Sequence, residues 1–125
     1  MKRITREWVK KAEADHVAAV QLARRIPPIH DVVCFHCQQL AEKYLKGLLE
    51  ERGASAPRTH DLDTLFGLLL PSHSSLRGLR RGLIFLTRHA VDPRYPGLSP
   101  TKRQAQAAVR WAGRVRTTVR TLLGI

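Results

Sequence analysis

The sequence predicts an all-α fold, an up-and-down antiparallel bundle of four to five helices that forms one domain over residues 1–125. Three observations support this prediction. Prolines and glycines divide the chain into segments of helical length. Within each segment, apolar residues recur at intervals of three and four, while almost nothing alternates as a strand would. The loops between segments are short, which makes successive helices antiparallel neighbours.

The first two helices have the clearest boundaries. A helix over about residues 5–25 ends before the proline pair at 27–28, because the residue before a proline avoids helical geometry. A second helix covers about residues 31–52, with Asp31 as its N-cap and Gly53 as its stop signal. Its broad apolar face is the strongest helical pattern in the chain.

Three more helices follow. A short one covers about residues 61–70, and a Pro-Ser-rich break separates it from a fourth helix over about residues 76–90. The last helix covers about residues 100–123, with Ser99 as a candidate cap and Pro100 at its first position. The sequence contains no internal repeat and no interdomain linker.

The chain is strongly basic, and the charge is uneven. Lys and Arg number 22 against 10 Asp and Glu, a net charge of +12. Residues 1–63 carry a net charge of +2, whereas residues 64–125 carry +10. A half with one carboxylate needs counterions, a polyanion or an acidic partner. On the last helix, Arg103, Arg110 and Arg114 share one face, which is either a basic partner surface or a solvated helix face.

Several classes of protein are not supported. No segment approaches the roughly 20 apolar residues that span a bilayer, and the basic N-terminus reaches no apolar signal region, so we expect a cytoplasmic location without membrane contact. Cys34 and Cys37 are too few for a disulfide framework. They share a helix face from which His36 points away, so we predict buried thiols, no metal site and no cofactor.

Four sequence features together resemble one family. The second helix carries Cys-Phe-His-Cys-Gln-Gln-Leu-Ala-Glu-Lys-Tyr-Leu-Lys-Gly-Leu-Leu at 34–49, and the first helix carries Trp8 and Asp15. His-Asp-Leu opens the third helix at 60–62, and Arg-Tyr-Pro follows the fourth at 94–96. In this order, they resemble the HEPN family, the higher eukaryotes and prokaryotes nucleotide-binding domain.

The resemblance implies a helical homodimer that binds nucleotides or RNA. It also implies a partner, because many relatives are paired with a minimal nucleotidyltransferase in toxin–antitoxin systems. Some relatives are metal-independent RNases with an Arg-x4–6-His motif whose active site forms across the dimer. This chain departs from that motif, because residues 93–95 are Pro, Arg and Tyr where the His would follow Arg88. We therefore predict a binding module rather than a complete enzyme.

The candidate phosphate-binding residues come from the helix-two polar stripe, the third helix and the Arg-Tyr-Pro region. They are Gln38, Glu42, Lys43, Lys46, Asp61, Arg88, Arg94 and Tyr95. Structural alternatives remain open for the stripe, which suits a solvated helix surface with a Glu42–Lys46 ion pair. They also remain open for Asp61 as a helix cap and for Tyr95 as a residue that packs its loop onto the bundle.

Catalysis, if present, would use Arg88 and His60. RNA cleavage needs a base and a cation that stabilises the phosphate, and a His from another element could supply the base. This leaves two alternatives to the binding module. One is a metal-independent RNase toxin with a non-standard site, and the other is a non-catalytic dimer that docks an acidic protein.

Overall fold

The bundle is all-helical in the residues that the computed structural model describes, 1–91 and 95–125, which confirms the predicted fold class. In these ranges the helices are α1 (Arg3–Arg24), α2 (His30–Glu51), α3 (Leu62–Leu69), α4 (Arg80–Val91) and α5 (Lys102–Leu123). A 3₁₀ segment, Ser74–Leu79, precedes α4. None of these helices is long and apolar enough to cross a bilayer.

Helix α2 lies at the centre of the bundle and packs against each of the other four helices. Its side chains are buried around most of its circumference, as expected for a helix inside a core rather than on its surface. Tyr44 is the largest of its fully buried residues. Leucines and valines from the surrounding helices, such as Leu65, Leu83 and Val115, complete the core.

Hydrogen bonds between helix ends define the directions of the helices. The Thr5 hydroxyl donates to Glu51 at 2.9 Å, so the start of α1 lies beside the end of α2 and the two helices are antiparallel. Arg120 near the end of α5 donates to the Tyr44 hydroxyl at 3.2 Å, while the first turns of α2 and α5 line one groove. Helices α2 and α5 therefore run in the same direction and begin at the same end of the bundle.

Two predicted helix starts are wrong. Helix α2 begins at His30 with Ile29 at the N-cap, so Asp31 lies inside the first turn instead of capping it. Helix α5 is capped by Thr101 rather than by Ser99, in a reciprocal pair with Gln104. The reason is spacing, since a capping box needs Glu or Gln three residues after the cap, and Thr101 has that residue.

The fourth predicted helix is divided into two kinds of helix. Its first turns, from Ser74 to Leu79, are 3₁₀, and α-helical geometry begins at Arg80. Leu76 and Leu79 are both buried, which fits the three-residue period that places side chains i and i+3 on one side of a 3₁₀ helix. The apolar spacing of three fits both helix types, which explains the difference from the prediction.

Helices α4 and α5 approach each other closely at Gly82. A Cβ atom at this position would lie 2.0 Å from Cε3 of Trp111 and 2.3 Å from its Cδ2, much closer than van der Waals contact allows. The indole also contacts Arg114, whose guanidinium lies 4.6 Å from the ring centroid. Glycine at position 82 therefore leaves the space that the Trp111 indole occupies.

We expect Gly82→Ala to destabilise the protein by about 1–3 kcal/mol, since the added methyl group overpacks the helix contact. Urea unfolding followed by circular dichroism measures the change. Gly67→Ala is the matched control, because Gly67 is exposed in α3 and a Cβ there meets nothing within 4 Å. The control should gain up to about 1 kcal/mol from helix propensity. Equal effects of the two substitutions would contradict the packing argument.

Candidate functional site

The polar stripe of α2 faces the interior of the bundle. Gln38, Glu42 and Lys46 are 4%, 4% and 6% exposed, although the sequence pattern also suited a solvated surface. Glu42 is the centre of this cluster, with Oε2 at 3.1 Å from Nζ of Lys46 and Oε1 at 2.7 Å from Nδ1 of His60. Nζ of Lys46 also lies 5.5 Å from the centroid of the Trp8 ring. The predicted Glu42–Lys46 ion pair exists, but inside the bundle.

His60 links this interior cluster to the surface. Its side chain is 85% exposed, while the carboxylate of Glu42 that holds it is 5% exposed. Gln38 adds a second constraint by donating from Nε2 to the His60 carbonyl at 3.0 Å. Because a carboxylate only accepts, Nδ1 carries the proton in this contact and Nε2 is the ring nitrogen available to solvent. The Glu42 carboxylate therefore fixes the orientation of the His60 ring at the surface.

A second buried carboxylate, Asp15, connects α1 to α2. Its two oxygens contact Nδ1 of His36 at 2.8 Å and Nζ of Lys43 at 2.6 Å. Lys43 was a candidate for binding phosphate, and here its ammonium group is paired across the helix interface. Asp15 is 7% exposed, so these contacts replace the hydration that burial removes.

A third cluster links both ends of the chain through Glu13. Arg116 makes two bonds of 2.7 Å to its carboxylate, Arg120 adds one of 3.4 Å, and the Tyr44 hydroxyl donates at 2.8 Å. The hydrogen bond from Arg116 is the main cause that lowers the pKa of Glu13 from 4.5 to about 2. One carboxylate from the first half of the chain therefore holds two arginines of the basic half and offsets one of their two positive charges.

The other arginines of α5 remain at the surface. Arg103, Arg110 and Arg114 are exposed, as the shared face in the sequence predicted. Among the described residues, no carboxylate forms an ion pair with any of the three. The side chain of Arg114 lies on the ring of Trp111, so its guanidinium is held over the helix surface.

No hydrogen bond or ion pair between described residues joins the remaining candidates to one another. Arg88 is exposed near the end of α4, and no hydrogen bond or ion pair between described residues joins it to His60. Asp61 accepts from the backbone of Asp63 and caps α3, as the structural alternative had it. Tyr95 is 65% exposed, so its ring is largely free of the bundle. Arg94 lies outside the described residues.

The two cysteines have the character of core residues. Cys34 and Cys37 are buried and unbridged. Burial raises the pKa of the Cys34 thiol to about 11 and that of Cys37 to about 12, which disfavours the thiolate that binds metal. In the described ranges, no three His, Cys, Asp or Glu side chains are grouped as metal ligands would be.

Comparisons with known proteins identify the family. The HEPN domain model matches residues 5–122, nearly the whole chain. The chain belongs to the HEPN family. Its fold is similar to the crystal structure of TT1696 from Thermus thermophilus, with a TM-score of 0.82, 22% identity, and coverage of 97% of this chain and 98% of that one. The archaeal HEPN homologue ST0689 gives a TM-score of 0.75 and 28% identity, with 98% of both chains covered. No curated protein matches the chain.

Sequence reasoning missed two features of this HEPN domain. The Glu13 cluster joins residues more than 100 positions apart, which no local pattern reveals. The contact between Arg114 and Trp111 had a local signal, because the two residues are three apart on one helix. Conversely, the helix-two residues named as phosphate ligands remain predictions. Gln38 and Glu42 are buried and contact His60, whereas Lys43 contacts Asp15.

The Glu13 cluster makes the stability of this HEPN domain depend on pH. Because the folded-state pKa lies below the ordinary value of 4.5, the stabilisation is complete above about pH 5 and is lost as the pH falls towards 2. We expect Glu13→Gln to remove about 2–3 kcal/mol at pH 6 and to have much less effect at pH 2. Urea unfolding across this range measures the difference. Glu7→Gln, at an exposed ion pair with Arg3, should change little at either pH.

Proposed function

We propose that this HEPN domain is a homodimeric module that binds the phosphates of RNA or nucleotides, beside a minimal nucleotidyltransferase in a toxin–antitoxin system. The observation that carries the proposal is the division of charge on α5. Arg116 and Arg120 are bound to Glu13, whereas Arg103, Arg110 and Arg114 face solvent without a carboxylate among the described residues. Such a surface attracts a polyanion and releases its counterions.

The shape of the α5 surface supports phosphate binding. A shallow depression of about 530 Å³ lies along the exposed side of the helix, and Gly113 keeps its middle free of side chains. Arg110 and Arg114 contribute guanidinium groups to it, and Thr117 and Thr118 contribute hydroxyls. Both groups donate hydrogen bonds, and guanidinium groups match phosphate geometry well.

The surface of α4 supports the dimer. Ile84 is 47% exposed on this helix, one turn before Arg88. An apolar residue beside an exposed arginine suits a dimer contact. In such a contact, the second copy of the chain would cover Ile84 and bring its own Arg88 near the α4 surface of the first copy. The pairing with a nucleotidyltransferase rests on the family resemblance.

The test is the affinity for a single-stranded RNA oligomer measured by fluorescence anisotropy at several salt concentrations. We expect affinity to fall steeply with salt, with a slope of log K against log salt that decreases by about 0.7 for each phosphate contact removed. The triple variant Arg103→Ala, Arg110→Ala, Arg114→Ala should weaken binding at least tenfold and flatten this slope.

The matched control removes the same charge from α1. Lys10, Lys11 and Arg24 are exposed residues with no ion pair among the described residues, and all three are replaced by Ala. This control should retain most of the RNA affinity. If both triple variants lose affinity equally, net charge and not the α5 surface explains the binding. Salt-independent or absent RNA binding would favour the dimer that docks an acidic protein.

A second candidate function, a metal-independent RNase with a non-standard site, is favoured by the geometry of His60. Its exposed ring is oriented by the buried Glu42 carboxylate, an arrangement that suits a general base. Arg88 would supply the phosphate-stabilising cation, from the second copy of the dimer. The Lys46 ammonium on the other oxygen of Glu42 keeps that carboxylate in position.

Incubation of RNA with the purified protein in EDTA tests this candidate. If the protein is an RNase, His60→Ala and Arg88→Ala should each lower the cleavage rate at least a hundredfold, since general acid–base groups contribute about 10²–10⁴. His73→Ala is the control, because His73 contacts the hydroxyl of its neighbour Ser72 and not the Glu42 cluster. No cleavage by the unaltered protein, or cleavage that survives both substitutions, removes this candidate.

A further inference from the structure

A groove of about 480 Å³ opens where α2 and α5 begin and α1 ends. Its apolar lining consists of Ala23, Pro28, Val33, Ala105 and Val109. The volume lies within the range of pockets that hold small ligands. None of these residues was a candidate for function in the sequence, because they come from three separate segments that only the bundle brings together.

The polar lining of the groove carries positive charge. Lys102 and Arg110 are exposed at its edge, and His30 and Gln106 complete the polar part. None of the described residues that line the groove is a carboxylate. An anion that enters it therefore meets cations and hydrogen-bond donors without a like charge in contact.

The helix starts at the groove reinforce this electrostatic character. His30 is the first residue of α2 and Lys102 the first of α5, so the positive ends of two helix dipoles lie at the same place. Ile29 at the N-cap of α2 offers no side-chain acceptor for the first backbone N–H groups. These N–H groups add to an anion-attracting site that the cavity and its cations already define.

We propose that this groove binds one nucleoside monophosphate, with the base on the apolar floor formed by Ala23, Pro28 and Val109 and the phosphate at Lys102 and Arg110. The apolar floor is the reason for a nucleotide rather than inorganic phosphate, since a bare anion would leave that surface to water. The inference rests on the proposed function for its choice of phosphate ligands. The site is separate from the outer face of α5 and shares only Arg110 with the RNA surface.

Titration of the protein with adenosine monophosphate, adenosine and inorganic phosphate, followed by NMR of the backbone amides, tests the proposal. We expect adenosine monophosphate to bind at least tenfold more tightly than either of its parts. The amides of Ala23, Lys102 and Val109, which line the accessible part of the groove, should show the largest shifts. Equal affinity for adenosine monophosphate and inorganic phosphate would overturn the proposal, as would shifts confined to the outer face of α5.

Substitutions at Gln106 test the location of the phosphate. Gln106 is exposed at the edge of the groove, so Gln106→Glu places a negative charge there without altering the core. We expect this variant to weaken adenosine monophosphate about five- to tenfold and Gln106→Ala to weaken it less than threefold. Gln21→Glu is the matched control, because Gln21 is exposed on α1 and does not line the groove. An equal loss in Gln21→Glu would show a non-specific charge effect and overturn the proposal.

The double variant Arg103→Ala, Arg114→Ala separates this inference from the proposed function. It should lower RNA affinity and leave adenosine monophosphate affinity within twofold of the unaltered protein. If the nucleotide fails to bind while RNA binding still depends on Arg103 and Arg114, the groove proposal is wrong and the RNA surface stands. If RNA fails to bind while the affinity for the nucleotide responds to Gln106→Glu, the RNA surface is wrong and the groove proposal stands.

Discussion

The burial of α2 on nearly all sides is the constraint on which the other features of this domain depend. A helix in this position removes water from the polar side chains that it buries, and each such group must find a partner inside the protein. Glu42 and Lys46 satisfy each other within the helix, while Lys43 and Tyr44 reach carboxylates on α1. The same requirement extends outward to His60, whose ring is held at the surface by a carboxylate that lies in the interior.

This internal pairing decides which charges remain for a partner. The chain has 12 more basic than acidic side chains, but the excess is not spread evenly over the folded surface. Glu13 draws Arg116 and Arg120 against α1, and the neighbouring row of α5, with Arg110 and Arg114, keeps its charge in solvent. One helix thus presents to the bundle a side whose arginines are paired with a carboxylate, and to solution a side whose arginines are unpaired among the described residues. The proposed RNA surface and the proposed nucleotide groove both draw on that second side.

The candidate site shows where prediction from residues succeeded and where it stopped. The Glu42–Lys46 pair and the cap at Asp61 follow from local spacing, and both are present. The burial of the pair was not predictable in the same way, because the four-residue spacing is identical on a core helix and a surface helix. The position of Arg88 relative to His60 depends on packing between α3 and α4, so the sequence offered no measure of it.

From the sequence alone came the helical class, the approximate extent of each helix, the HEPN resemblance and the uneven charge, since all of these are properties of local composition and periodicity. Only the tertiary structure decided which polar groups from distant segments pair with one another, as Lys43 with Asp15 and Arg116 with Glu13 do. It also decided that α2 and α5 begin together, which places Lys102 and Arg110 beside an apolar groove. The physical reason is that ion pairs and cavities depend on distances between segments far apart in the chain, whereas helix formation depends on neighbours within a few residues.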